Sequence, residues 1–230
     1  MHQNIKKSNR IVWLDSLKGL AIISVVLGHA FLAVQQINLF PEKQNMVTII
    51  KEYIYTWHMP LFFVLSGMAF RISCLKDDSP DFSKIRKNAL NLFIIYLIFA
   101  TALPVLKIIF SQFVNNKVYI KDLIKVILLP DTLMWYLWVL IIYYFLFPLL
   151  FNKKHKSIIF TVLLCISFIA TYLYKSEILT QLSIRNLFIC AVFFYIGMQF
   201  RELISVTDNK VIVAVSGCFI MIYILYVSIY

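Results

Sequence analysis

Long apolar stretches, separated by short polar and basic segments, run along the whole chain. A helix that crosses a bilayer needs about 20 consecutive, mostly apolar residues, and seven stretches reach or approach that length. They cover residues 11–34, 54–75, 89–110, 135–151, 157–174, 187–200 and 211–230. They lack the alternation of apolar and polar positions that marks the strands of a membrane barrel. The pattern therefore predicts an all-α fold, a polytopic bundle of about seven transmembrane helices.

A further segment, residues 117–130, is less apolar and has a different pattern. Its lysines recur at four-residue spacing, at Lys117, Lys121 and Lys125. Such spacing puts the three charges on one face of a helix, which is typical of an amphipathic helix lying in the membrane interface. We therefore predict an interfacial helix here.

The basic residues between the predicted spans indicate how the bundle is oriented. Thirteen Lys and Arg residues fall on the side of the N-terminus and seven on the opposite side. Because cytoplasmic loops carry the excess of Lys and Arg, we predict a cytoplasmic N-terminus. The last stretch stays apolar up to Tyr230, so we expect a single domain over residues 1–230 that is incomplete at its C-terminus.

The composition supports a membrane protein. Hydrophobic residues make up 61% of the chain and charged residues 14%, against roughly 45–50% and 25% in soluble domains. The net charge of +11 could suggest nucleic-acid binding. However, most basic residues lie in short tracts between apolar stretches, where they meet anionic lipid. We expect membrane lipid, and no nucleic acid, as a partner. The four cysteines lack metal or redox spacing.

Three ionisable residues lie inside the first predicted span, namely Asp15, Lys18 and His29. Charged groups at membrane depth are costly, so each is a candidate functional residue. At about 100° per residue the three share one helix face, with His29 roughly 16 Å beyond Lys18 along the axis. Asp15 and Lys18 could instead pair and extend to the interface. His29 could be a general base, or it could only hydrogen-bond a neighbouring helix.

A second histidine, His58, begins the next predicted span. Since consecutive spans run in opposite directions, we predict that His58 lies at the same depth as His29. Two histidines without a nearby carboxylate or thiolate are too few for a zinc site, so we predict proton transfer and no metal.

Other polar and aromatic positions have simpler interpretations. Ser66 and Gly67 favour close helix packing, and Trp135 belongs to an aromatic cluster typical of a membrane interface. The basic residues Lys84, Arg86 and Lys87 either anchor the topology or bind an anionic cytosolic ligand.

Three of these motifs resemble the membrane-bound acyltransferase-3 family. Lys18 and His29, with ten residues between them, match the family's spacing of a basic residue and a histidine. Residues 58–67, HMPLFFVLSG, resemble the second-helix motif of the branch that includes fucose 4-O-acetylase-like proteins and polysaccharide-adhesin modifiers. Residues 134–137, MWYL, resemble the family's later Trp–aromatic–Leu motif.

The resemblance implies transfer of an acyl group, usually acetyl, from cytosolic acyl-CoA to a hydroxyl of a cell-envelope or extracellular polysaccharide. It assigns His29 as the catalytic base, and we expect His58 to orient this base and Asp15 to hold Lys18. The acyl donor, acetyl-CoA or another acyl-CoA, would be bound by basic residues. These residues are Lys18, Arg71, Lys84, Arg86 and Lys87.

The expected location is the bacterial cytoplasmic membrane, which the chain crosses several times. The expected partners are a glycan or lipid-linked sugar acceptor, and either a second copy of the chain or the glycan-synthesis machinery. Two alternatives to an active enzyme stay open at this point. One is a translocator or proton-coupled carrier for glycan intermediates, with the ionisable residues of the first span as its relay. The other is an inactive, truncated remnant.

Overall fold

The computed structural model describes residues 12–76, 79–113, 123–128, 130, 134–150, 155–176 and 181–205, and these residues are mainly α-helical. The helices are α1 Val12–Gln36, α2 Gln44–Cys74, α3 Phe82–Ile109, α4 Leu123–Leu128, α5 Trp135–Leu150, α6 Lys156–Lys175, α7 Leu182–Ile189 and α8 Ala191–Ser205. A 3₁₀ turn, Pro41–Lys43, precedes α2, and two short strands, β1 Leu75–Lys76 and β2 Ser79–Pro80, pair antiparallel between α2 and α3. The predicted all-α class is confirmed.

Three of the described helices are long and apolar enough to cross a membrane, judged by length and composition. They are Leu14–Gln36, Phe82–Ile109 and Lys156–Lys175. A fourth span results if Ser183–Ile189 and Ala191–Phe200, which bend by 42°, are taken together. The number of spans and the side of the N-terminus stay predictions. The predicted span 211–230 lies outside the described residues, as do Lys117 and Lys121 of the predicted interfacial helix.

Several helix boundaries differ from the apolar stretches. Helix α2 begins at Gln44 rather than at residue 54. Its first turns are helical although they carry the polar residues Lys51 and Glu52, whose side chains lie 2.8 Å apart. The stretch predicted at 187–200 is two helices that meet at Cys190. Its amide donates to the carbonyl of Asn186 and its carbonyl accepts from Phe194, so hydrogen bonds cross the bend.

The chain divides into two compact units, the first of which contains the described residues up to Leu65 and those from Glu202 on. In this unit α1 and α2 run antiparallel. The side chain of Gln35 donates to Thr48 Oγ1 over 2.8 Å and accepts from Lys51 Nζ over 2.9 Å. The end of α1 is thereby tied to the beginning of α2. These bonds set the register in which the following turns of the two helices face each other.

The second unit, Ser66–Arg201, has an aromatic core. The ring centroids of Phe147 and Phe194 lie 4.7 Å apart, and those of Phe70 and Tyr144 lie 5.0 Å apart in an edge-to-face arrangement. The buried Tyr143 hydroxyl donates to the carbonyl of Leu187 over 2.6 Å. Rings from α2, α5 and α8 therefore pack together, and the hydroxyl among them is satisfied by backbone.

Gly67 permits the closest of these contacts. A Cβ atom at this position would overlap the backbone carbonyl oxygen of Phe194 in α8. Because the obstacle is backbone, no side-chain rotation relieves it. Gly67 therefore lies where the backbones of α2 and α8 approach each other directly.

We predict that Gly67→Ala lowers the free energy of unfolding by about 1–3 kcal/mol, the usual cost of overpacking. Gly19→Ala is the matched control, since a Cβ at Gly19 meets no atom within 4 Å and alanine favours a helix by up to about 1 kcal/mol. Thermal unfolding of the detergent-solubilised variants measures both. An equal Tm for Gly67→Ala and the parent protein would contradict the packing described here.

Candidate active site

His29 and Tyr55 form the polar contact between α1 and α2 in the first unit. The Tyr55 hydroxyl oxygen lies 3.3 Å from His29 Nδ1, and the two rings meet edge to face with centroids 6.1 Å apart. His29 is otherwise exposed. The Nδ1 side of the imidazole is therefore held by a hydrogen bond, and the rest of the ring is accessible to a reactant.

Gly28 brings the tyrosine this close to α1. An added Cβ at Gly28 would lie 3.0 Å from Tyr55 Cε2 and 3.2 Å from Ile54 Cγ2. Such distances are shorter than ordinary van der Waals contact, so a side chain here would press the Tyr55 ring away. The glycine that precedes His29 in the sequence thus makes room for the tyrosine that contacts His29.

His58 packs against the same tyrosine. The rings of Tyr55 and His58 lie edge to face with centroids 5.0 Å apart, and His58 is only 3% exposed. His58 Nδ1 lies 2.7 Å from the carbonyl oxygen of Ile54. Since a carbonyl only accepts, Nδ1 carries the proton and donates. Tyr55 therefore contacts both histidines that the sequence predicted at one depth; the catalytic role of His58 stays a prediction.

Asp15 and Lys18 lie near the beginning of the same helix, and both are half-buried. Leu14, Ala21 and Ser24 mark the buried face of α1, and Lys18 lies beside that face. Asp15 is in the first turn, where a carboxylate interacts favourably with the helix dipole. The pairing of Asp15 with Lys18 and their catalytic and donor-binding roles stay predictions.

The remaining basic residues of the predicted donor site belong to the second unit. Arg71 is in the last turn of α2 and is only 5% exposed, whereas Lys84, Arg86 and Lys87 are exposed at the beginning of α3. A guanidinium is rarely this buried unless it has partners. Donor binding by these four residues is not tested by their positions and stays a prediction.

The connection between α2 and α3 fixes where these basic residues lie. Strand β1 pairs with β2, and the Asp81 amide donates to the carbonyl of Cys74 over 2.8 Å. The Asn88 side chain donates to Ser73 Oγ, 3.4 Å away. The end of α2 and the first turns of α3 are thereby held side by side.

Asp81 caps the N-terminus of α3. Its carboxylate accepts from the Lys84 amide over 3.2 Å and lies 3.5 Å from Lys84 Nζ. The backbone hydrogen bond from Lys84 is the largest cause that lowers the pKa of Asp81 below its ordinary value of 3.8, and the Lys84 charge adds to it. The ionised carboxylate is therefore the form that the folded protein stabilises.

The residues of the two later motifs meet in the second unit. Ser66 Oγ and Tyr136 Oη lie 2.6 Å apart, and Trp135 contacts Tyr136 edge to face with centroids 6.5 Å apart. Ser66 thus hydrogen-bonds across to α5 while Gly67 lets α8 approach. Both are contacts between packed helices.

The sequence analysis assigned no role to Tyr55 and placed Tyr136 only within the aromatic MWYL motif, although both tyrosines make contacts that join predicted residues. The only signal for Tyr55 was its position three residues before His58. This position does not single it out, because aromatic residues are common near membrane interfaces. Within the described residues, no group of three or more His, Cys, Asp and Glu side chains could hold a metal ion.

Comparison with known proteins identifies the family. A family model described as an acyltransferase domain matches residues 11–230, nearly the whole chain. The chain belongs to this membrane acyltransferase-3 family. Searches of curated proteins and of solved structures found no match. Together with its three apolar helices of spanning length, the family makes the chain a membrane acyltransferase, which requires an acyl donor as co-substrate.

We predict that Asp81→Asn weakens the acid dependence of stability. The parent carboxylate contributes stability above its unfolded pKa, and this contribution is lost as the pH falls through the lowered folded pKa. Asparagine still caps the helix but does not titrate in this range. Thermal unfolding measured from pH 6 down to about pH 3 should therefore show a shallower loss of Tm in the variant. Identical slopes for the two proteins would contradict the role given to Asp81.

Proposed function

We propose that the protein is an O-acyltransferase of the bacterial cytoplasmic membrane. It moves an acyl group, with acetyl as the first candidate, from cytosolic acyl-CoA to a hydroxyl of a cell-envelope or extracellular polysaccharide or its lipid-linked precursor. Besides the family match over residues 11–230, the observation that carries the proposal is the accessible imidazole of His29. It is held by one hydrogen bond and lies on the same helix as Lys18.

His29 acts as the general base in this reaction. Its free ring nitrogen takes the proton of the acceptor hydroxyl as the hydroxyl oxygen attacks the thioester carbonyl. The new C–O bond forms, the C–S bond breaks, and the leaving thiolate of CoA takes the proton back from the imidazolium. The products are the O-acylated sugar and CoA, and the histidine returns to its neutral form.

Lys18 contributes positive charge to donor binding. A lysine ammonium can neutralise a CoA phosphate or the oxygen of the thioester as negative charge develops on it. Lys18 and His29 lie on one helix, roughly 16 Å apart along its axis. The two residues therefore contact opposite ends of a long donor. The pantetheine arm of acyl-CoA is flexible and carries the thioester away from the phosphates, which fits this separation.

A carrier is the second candidate function, because transporters often place substrates at broken helices. The 42° bend between α7 and α8 is such a feature. Hydrogen bonds at Cys190 cross the bend, however, so the carbonyls of Asn186 and Cys190 are already engaged. The acyltransferase therefore stays the preferred function.

We predict that His29→Gln lowers acyl transfer by about 10²-fold or more, the usual contribution of a general base. The assay measures transfer from [14C]acetyl-CoA to glycan in membrane vesicles, with protein abundance determined by immunoblot. His155→Gln is the matched control, since His155 is exposed and lies just before α6.

Undiminished transfer by His29→Gln at equal abundance would remove His29 from the mechanism. Movement of glycan intermediates across the vesicle membrane by the parent protein, without acyl transfer, would support the carrier instead.

We predict that Lys18→Gln raises the KM for acetyl-CoA by about tenfold, because one charge-assisted contact to the donor is lost. Lys43→Gln is the control, as Lys43 lies exposed in the 3₁₀ turn. Initial rates over a range of acetyl-CoA concentrations measure the effect. A KM equal to that of the parent protein would exclude Lys18 from donor binding.

A further inference from the structure

We propose that Tyr55 is a positioning residue that keeps the proton of His29 on Nδ1 and leaves Nε2 free to act as the base. The inference rests on the proposed function, in which His29 takes the proton of the acceptor hydroxyl. Its structural basis is the 3.3 Å contact between Tyr55 Oη and His29 Nδ1. The phenol oxygen can accept a hydrogen bond from the ring N–H.

The contact becomes stronger as the reaction proceeds. When Nε2 takes a proton, both ring nitrogens of His29 are donors, so Tyr55 Oη must accept from Nδ1. Hydrogen bonds to a charged group are stronger than those between neutral groups. Tyr55 therefore stabilises the imidazolium more than the neutral imidazole. An interaction of this kind raises kcat rather than substrate affinity.

The surroundings of Tyr55 hold its ring in place for this role. The Tyr55 ring packs on the bare backbone of Gly28 and also meets the ring of the buried His58 in an edge-to-face contact. His58 is fixed in turn by its hydrogen bond to the carbonyl of Ile54. Tyr55 thus presents its hydroxyl to His29 from a packed position.

The first test is kinetic. Tyr55→Phe removes the hydroxyl but keeps the ring and its packing. We expect kcat for transfer from [14C]acetyl-CoA to glycan in membrane vesicles to fall by about 10- to 100-fold, with the KM for acetyl-CoA within about twofold of the parent value. Tyr53→Phe is the matched control, because Tyr53 is on the same helix and 61% exposed. An unchanged kcat in Tyr55→Phe, or a loss expressed only in KM, would overturn the proposal.

The second test does not depend on activity. Solid-state NMR of the 15N-histidine-labelled protein in lipid distinguishes protonated from unprotonated ring nitrogens, and the His29 signals are assigned by their loss in His29→Gln. We expect Nδ1 of His29 to be protonated in the parent protein and the tautomer ratio to shift toward Nε2–H in Tyr55→Phe. The His58 signals, which report the bond to Ile54, should not change. A parent His29 protonated on Nε2, or a ratio unaffected by Tyr55→Phe, would overturn the proposal.

The two tests separate failure of this inference from failure of the proposed function. If His29→Gln abolishes transfer while Tyr55→Phe keeps full kcat, the function stands and the role of Tyr55 is wrong. If Tyr55→Phe shifts the tautomer ratio of His29 while His29→Gln keeps full transfer, Tyr55 positions His29 but His29 is not the base.

Discussion

Close approach at Gly28 in the first unit and at Gly67 in the second determines which groups of the neighbouring helices come into contact. In hydrocarbon the hydrophobic effect does not drive helices together, so contact depends on packing and on interhelical hydrogen bonds. At Gly28 the missing side chain lets the Tyr55 ring lie against α1, and the hydroxyl then reaches His29. The packing and the polar contact are therefore coupled, because a bulkier residue at Gly28 would displace the tyrosine whose hydroxyl contacts His29.

In the second unit, too, a glycine permits close helix contact, and here the contact joins helices of the unit to one another. Gly67 admits the backbone of α8, and the neighbouring Ser66 hydrogen-bonds Tyr136 on α5. One dipeptide thus joins α2 to two other helices, by close contact on one side and by a hydrogen bond on the other. Buried hydroxyls satisfied in this way help to specify one arrangement of an otherwise apolar bundle. The contacts of Ser66 and Gly67 are packing contacts, whereas the chemistry that we propose belongs to His29.

The long apolar stretches predicted the helical class and most helix positions, because only helices and closed β-barrels satisfy their backbone hydrogen bonds inside a membrane. They missed the beginning of α2, where Lys51 and Glu52 lower the local hydropathy, and the bend at Cys190, where neither proline nor glycine marks the site. His29 was predictable as an ionisable residue at membrane depth. Tyr55 was not, because its contact with His29 depends on the register of α1 against α2. That register is set by Gln35, Thr48 and Lys51, and spacing along one helix does not reveal it.

We propose that this membrane acyltransferase modifies a surface glycan with His29 as its base. Mass spectrometry of glycan from cells that carry the parent gene, the His29→Gln variant or no copy tests it most directly. We expect acyl-substituted sugars in the parent strain alone, with equal amounts of parent and variant protein in the membrane. The same acyl substitution in all three strains would contradict the proposed activity, and its presence in the His29→Gln strain alongside the parent would contradict the role of His29.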